Sequence, residues 1–213
     1  SQVNHKRVQR VWQQVEGLQL PRRNTRKRHY GPKGDVIHKA EFRNHVWSYD
    51  FLEESLQNWK RTRILVIIDE YTWEFLAFQA DRSFTSEKVI HLLDWLFRIY
   101  GPPKYMRSDN GPEFIAHNIQ SWFAEQGCKT LYIHPGSPWE NSYIESFLGK
   151  FRMECLNRYL FFTLPEMRTI VETWRDEYNH IRPHSALDYL PPSTFAAKHS
   201  KIPLLDHQNQ VTV

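Results

Sequence analysis

Nine residues, "RILVIIDEY" from Arg63 to Tyr71, restrict the architecture more than any other stretch of the chain. Their centre, Ile64 to Ile68, is apolar without alternation, so the run reads as a β-strand buried on both faces. Such a strand needs a layer packed against each side. The flanking sequence provides them. "VWSYDFLE" (Val46 to Glu53) reads as a preceding strand and "FLAFQA" (Phe75 to Ala80) as a following one. A helix then spans "TSEKVIHLLDWLFRIYG" (Thr85 to Gly101), with Thr85 as its cap and Gly101-Pro102-Pro103 as its stop. The strand "YMRSD" (Tyr105 to Asp109) runs into the turn "NGPEF". A helix follows from about Ala116 to Gln126, stopped by Gly127, and then the strand "KTLYIHP" (Lys129 to Pro135). Two more helices cover Asn141 to Leu156 and Pro165 to His180. Three strands followed by helix–strand–helix–strand–helix predict an α/β fold, a mixed five-stranded sheet with helices on its faces.

A chain of 213 residues, 40% apolar and 15% aromatic, is long enough for one sizeable core and too apolar to be disordered. No apolar run approaches the ~20 residues that span a bilayer, and no signal-peptide pattern opens the sequence. Cys128 and Cys155 are too few and too far apart for a disulfide framework or a Cys-x-x-Cys zinc site, which suggests a reduced, intracellular protein. The charge is unevenly spread. Residues 1–43 hold 11 of the 28 Lys and Arg but only 3 of the 24 Asp and Glu. They begin with an amphipathic helix at about residues 4–18 and continue into "RRNTRKR". There Arg22, Arg23, Arg26, Lys27 and Arg28 form either a solvated linker or an arm for phosphates, since clustered cations gain affinity by releasing counterions from nucleic acid. The expected organisation is a basic helical tail and linker at 1–43, a core at 44–200 and a C-terminal tail at 201–213.

Three carboxylates stand out. Asp50 lies mid-strand between Tyr49 and Phe51, where an unpaired buried charge would cost several kcal/mol. Asp109 closes a strand at the start of an Asn-Gly turn, the edge position from which sheets present functional groups. Either has a plain alternative: Asp50 could pair with an arginine, and Asp109 could form an Asx-turn. Glu145 and Glu140 compete for a third place. Ile144, Phe147, Phe151 and Cys155 fall on one stripe of the helix, and Glu145 and Arg152 lie together about 90° round from it. Glu145 is therefore held on a rigid element beside the buried face, while Glu140 sits near a loop. Three hard oxygen ligands suit Mg²⁺ or Mn²⁺ rather than zinc, and a pair of such ions is the usual clamp for displacement at phosphorus.

The segments "WSYDF", "VIIDEYT", "RSDNGPEFIA", "TLYIHPGSPWENSYIESF" and "WRDEYNHIRPHSALDYLPP" together resemble the integrase-like DDE transposases of bacterial insertion sequences, relatives of retroviral integrase. The likeness runs from about Val46 to Pro192. It implies a ribonuclease-H-like fold and Asp50, Asp109 and Glu145 as catalytic, metal-binding residues, with Mg²⁺ or Mn²⁺ as a two-ion cofactor. It also implies metal-dependent cutting and joining of DNA by a homo-oligomer assembled on that DNA, in the bacterial cytoplasm at the nucleoid. The chain departs from the family pattern at Leu148, where Asn is frequent, and at Trp73, where Arg is common.

Further DNA contacts are expected from Asn110 in the turn after Asp109, and from Ser137 and Asn141 flanking the "GSPWEN" loop. Lys150 and Arg152, one and two turns beyond Glu145, complete the set. Arg182 is a weaker candidate. Asp69 reads as structural and Tyr178 as packing. Two other functions compete with transposition: a non-catalytic DNA-binding remnant of a transposase, and a ribonuclease H on RNA–DNA hybrids. The latter would require Glu87, on the first helix, in place of Glu145.

Overall fold

The computed structural model describes residues 6, 39–58, 60–108, 117–133 and 141–199. The chain divides into two compact units, Ser1–Asp35 and Val36–Val213. The expected helix at 4–18 (Lys6 apart), the basic run Arg22–Arg28 and the tail 201–213 lie outside the described residues.

The second unit is built on β1 (Val46–Ser55), β2 (Arg61–Asp69), β3 (Phe75–Asp81), β4 (Tyr105–Ser108) and β5 (Lys129–Tyr132). Its helices are α1 (Ser86–Tyr100), α2 (His117–Glu125), α3 (Ser142–Glu154), α4 (Leu164–His180) and α5 (Pro192–His199). The strands form one sheet in the order β3-β2-β1-β4-β5. β1–β2 and β2–β3 are antiparallel, whereas β4 runs parallel to both β1 and β5. This is the expected mixed five-stranded sheet.

Period-2 alternation divides the sheet into two cores. Trp47 and Tyr49 of β1, Leu65 and Ile67 of β2, and Leu76 and Ala77 of β3 pack against Val89, Leu93, Leu96 and Phe97 of α1 and Ile119 and Phe123 of α2. On the opposite face Leu52, Ile64, Val66, Ile68 and Phe75 meet Ile144, Phe147, Leu148 and Phe151 of α3 and Met167, Val171 and Tyr178 of α4. The second core is rich in rings: Phe75–Phe147 centroids lie 4.8 Å apart, Phe147–Tyr178 5.1 Å and Phe151–Trp174 5.1 Å. Tyr178 is thus packing, as its sequence context suggested.

β3 is an edge strand, and α4 covers its unpaired backbone groups. Asn179 Oδ1 accepts from Phe75 N–H at 2.9 Å while Asn179 Nδ2 donates to Phe75 C=O at 3.0 Å. Arg175 donates to Leu76 C=O at 3.0 Å and Arg168 to Ala80 C=O at 2.8 Å. Sealing an edge in this way removes a template for unwanted strand pairing. α4 itself starts with a capping box, Thr163 with Glu166, and carries Pro165 in its first turn.

β2 runs over Arg61–Asp69 and not Arg63 to Tyr71, and two further elements depart from expectation. β5 stops at Tyr132 and not Pro135. α5 had no counterpart in the periodicity, because its eight residues are too few to show a stripe and begin at a proline, which reads equally well as a turn. Among the described residues no helix is long and apolar enough to cross a membrane.

Both cysteines are free and buried, and burial pushes each thiol up to about 12. Thiolate is the reactive form. A maleimide reagent at pH 7.5 is therefore expected to modify neither in the native protein and both after denaturation. Mass spectrometry of the two samples checks this.

Candidate active site

Asp50 sits in the middle of β1, opposite Val66 of β2. Its neighbours Tyr49 and Phe51 pack with the α1/α2 core, so alternation assigns Asp50, with Ser48 and Leu52, to the face covered by α3 and α4. Asp50 is half-buried, and its Oδ1 accepts from Phe51 N–H at 2.7 Å.

α3, the helix that carries Glu145, packs on the same face. Ile144, Phe147 and Phe151 have no exposed surface, which fixes the helix's rotation about its axis. Glu145 and Arg152, seven residues apart, are both exposed, on a side about 90° round from that stripe. Glu145 lies in the first turn of α3, where a carboxylate is favoured by the helix dipole. Leu148 packs into the core.

The other expected contacts divide. Lys150 is half-buried, with its ammonium 5.3 Å from the centroid of the Trp73 ring, and burial holds its pKa below the usual lysine range. Trp73, a departure in the sequence pattern, thus has a cation partner on α3. Asn141 is buried at the start of α3 and makes no side-chain cap hydrogen bond. Arg182, considered for DNA contact, is engaged with Glu154 at the end of α3 in a two-pronged ion pair. Arg22, Arg23, Arg26, Lys27, Arg28, Asn110 and Ser137 lie outside the described residues.

Asp109 also lies outside them, one position beyond the end of β4 at Ser108. The parallel register pairs Trp47 with Met106 and Ser48 with Arg107, so the end of β4 is level with the centre of β1. Among the described residues no group of three His, Cys, Asp or Glu could hold a metal ion. The set Asp50, Asp109 and Glu145 offers carboxylate oxygens only, the donors that Mg²⁺ and Mn²⁺ take.

Below Asp50 lies a buried polar cluster that the sequence did not reveal. Glu70, just past β2, is ion-paired to Arg107 Nε at 2.9 Å, and Ser48 Oγ donates to the same carboxylate oxygen. Glu70 and Arg107 are 2% and 4% exposed, so neither is a surface ion pair. Burial pushes Glu70 up to about 7, against the lowering effect of Arg107. Nothing in "VIIDEY" separates Glu70 from a solvated acid; only the pairing of β1 with β4 brings Arg107 to it. Asp69, beside it, is structural as expected: its carboxylate accepts from the backbone N–H groups of Asn44, Tyr71 and Thr72, at 2.7, 2.8 and 3.0 Å.

His184 is 5% exposed, edge-on to the Tyr178 ring at 4.7 Å. Burial, with Lys150 and Arg182 nearby, lowers its pKa to about 4. In the unfolded chain a histidine takes up its proton near pH 6.5, and in the native state only near 4, so acidification between those values favours unfolding. His184→Phe should remove that contribution. The stability of wild type relative to the variant is expected to fall by about 3 kcal/mol between pH 7 and pH 4, measured by urea unfolding at each pH.

Glu87 is exposed in the first turn of α1, on a helix packed against the face opposite Asp50. The ribonuclease H alternative, which needs Glu87 near Asp50, gains nothing from this arrangement.

Residues 40–138 match one family model described as an integrase core domain, and residues 126–192 match a second with the same description. An uncharacterized 31.7 kDa protein of insertion element IS407 from Burkholderia multivorans is 40% identical over 92% of this chain and 70% of its own length. An uncharacterized 39.2 kDa protein of insertion element IS476 from Xanthomonas euvesicatoria is 38% identical over 92% of this chain and 56% of its own. The chain thus spans about half to two thirds or slightly more of these relatives. Among solved structures, the HTLV-2 integrase catalytic core domain in complex with magnesium, in a trimeric form, superposes with a TM-score of 0.53 at 18% identity. That match covers 73% of this chain and 97% of the other, and at such identity it shows the ribonuclease-H-like integrase fold alone. With two core models and a 40%-identical insertion-element protein in agreement, the chain belongs to the integrase-core transposase family of bacterial insertion elements.

Proposed function

We propose that the chain catalyses metal-dependent cleavage of DNA at the ends of an insertion element and transfer of the freed strand into a target. The observation that carries this reading is the assignment of Asp50 and the helix bearing Glu145 to one face of the sheet, with β4 ending one residue before Asp109. Asp50, Asp109 and Glu145 would hold Mg²⁺ or Mn²⁺ as a pair of ions. Bound there, the ions would supply activation of the attacking oxygen and stabilisation of the leaving one. Without them three carboxylates would repel a phosphodiester.

The chain's own contribution is positional. The buried stripe of α3 fixes where Glu145 stands, and Arg152, exposed on the same side, is available to a backbone phosphate. Water attacks first and releases a 3′-hydroxyl, which then attacks the target strand with no covalent enzyme intermediate. The HTLV-2 core was solved with magnesium and in a trimeric form, which supports a divalent cofactor and self-association for this chain too. The expected setting is the bacterial cytoplasm at the nucleoid, with the basic run Arg22–Arg28 and Asn110, Ser137, Asn141 and Lys150 as further DNA contacts.

The test is strand transfer in Mg²⁺ on oligonucleotides carrying the element's ends, resolved on sequencing gels. Joined products that vanish with EDTA and with Asp109→Asn are the expected result. Equal activity in wild type and Asp109→Asn would sink the assignment.

A further inference from the structure

Glu70 holds one oxygen against two strands at once. Its Oε1 takes the Ser48 hydroxyl from β1 and the Arg107 guanidinium from β4, and Ser48 and Arg107 are direct cross-strand partners. Tyr143, in the first turn of α3, lines the same cavity as Glu70. Ser48 and Arg107 stand two positions before Asp50 and Asp109, and Tyr143 shares its helical turn with Glu145. One buried carboxylate therefore touches β1, which carries Asp50, and β4, which ends one residue before Asp109, and shares a cavity with α3, which carries Glu145.

Stability does not explain it. A buried ion pair seldom gains more than the loss of hydration costs, and Glu70 Oε2 is buried with no hydrogen-bond partner among the described residues. Such a group is better placed to fix geometry: the hydrogen-bonding neighbours of ligand-bearing segments set ligand orientation and affinity. From this convergence we infer that Glu70, with Ser48 and Arg107, is a positioning post. It sets the separation of β1 and β4 beneath the metal-binding acids and so tunes their affinity for a divalent ion. The inference rests on the function proposed above.

Mn²⁺ binding to the full chain, followed by the EPR signal of the free ion, tests it without reference to turnover. Glu70→Gln keeps the shape and loses the charge, and is expected to weaken Mn²⁺ binding about tenfold. Ser48→Ala, which removes one hydroxyl, should weaken it about threefold while keeping the native circular dichroism spectrum and melting temperature. Asp50→Asn serves as the ligand control. Native-like Glu70→Gln with wild-type affinity, alongside a weakened Asp50→Asn, would overturn the positioning role and leave the proposed function standing. If Glu70→Gln does not fold, an unchanged affinity in Ser48→Ala overturns it equally. Wild-type affinity in Asp50→Asn would instead remove the metal site, and with it both proposals.

Discussion

Glu145→Gln and Asp50→Asn are each expected to abolish strand transfer while leaving the protein folded. Both substitutions keep side-chain volume and remove a charged oxygen ligand. Glu145 is exposed, so its carboxylate contributes little to packing; Asp50 is half-buried, and its carboxylate accepts locally from Phe51 N–H. Thermal melts should move by only a few degrees. Activity should fall by at least ~10³-fold, because residues that work as one constellation lose most of their effect when any member is removed. The double variant should be little worse than either single one, for the same reason. Independent, additive losses, or a Glu145→Gln protein that still joins ends, would mean that the two acids do not share a site.

The largest stability effect is expected far from the acids, at Asn179. Its amide both accepts from and donates to the backbone of Phe75, acting as a substitute strand at the sheet's edge. Asn179→Leu is similar in size, yet it leaves a buried N–H and a buried C=O without partners, at about 1–3 kcal/mol each. A loss of about 3–4 kcal/mol follows, or roughly 10 °C in Tm for a protein of this length. Exposed Arg152→Ala is the comparison and should leave Tm nearly unchanged. Equal melting of Asn179→Leu and wild type would show that the β3 edge finds its partners elsewhere.

How much of this could be read from the residues alone depended on the range of the signal. The strand at Arg63 and the helix over Ile144, Phe147 and Phe151 were legible because each carries its periodicity within a dozen residues. The placement of Glu145 and Arg152 together at the exposed rim of the buried stripe followed from the same local arithmetic. The Glu70–Arg107–Ser48 cluster was not legible: its members are brought together by the parallel pairing of β1 with β4 and by a turn after β2. The seal on β3 by Arg168, Arg175 and Asn179 escaped for a similar reason, since those residues are 88 to 104 positions from their acceptors. Arg182 looked available for DNA until its ion pair with Glu154 appeared.

The interlocked rings beneath α3 act like teeth that index a shaft. With Phe147 and Phe151 meshed against Phe75, Trp174 and Tyr178, the helix cannot creep along its axis without breaking several ring contacts together. A single residue added between Glu145 and Phe147 would swing the acid by about 100° around the helix and carry it off station. Length changes inside this short segment should therefore be far more damaging than point changes on its outer side, which limits where such a chain can be spliced, tagged or shortened.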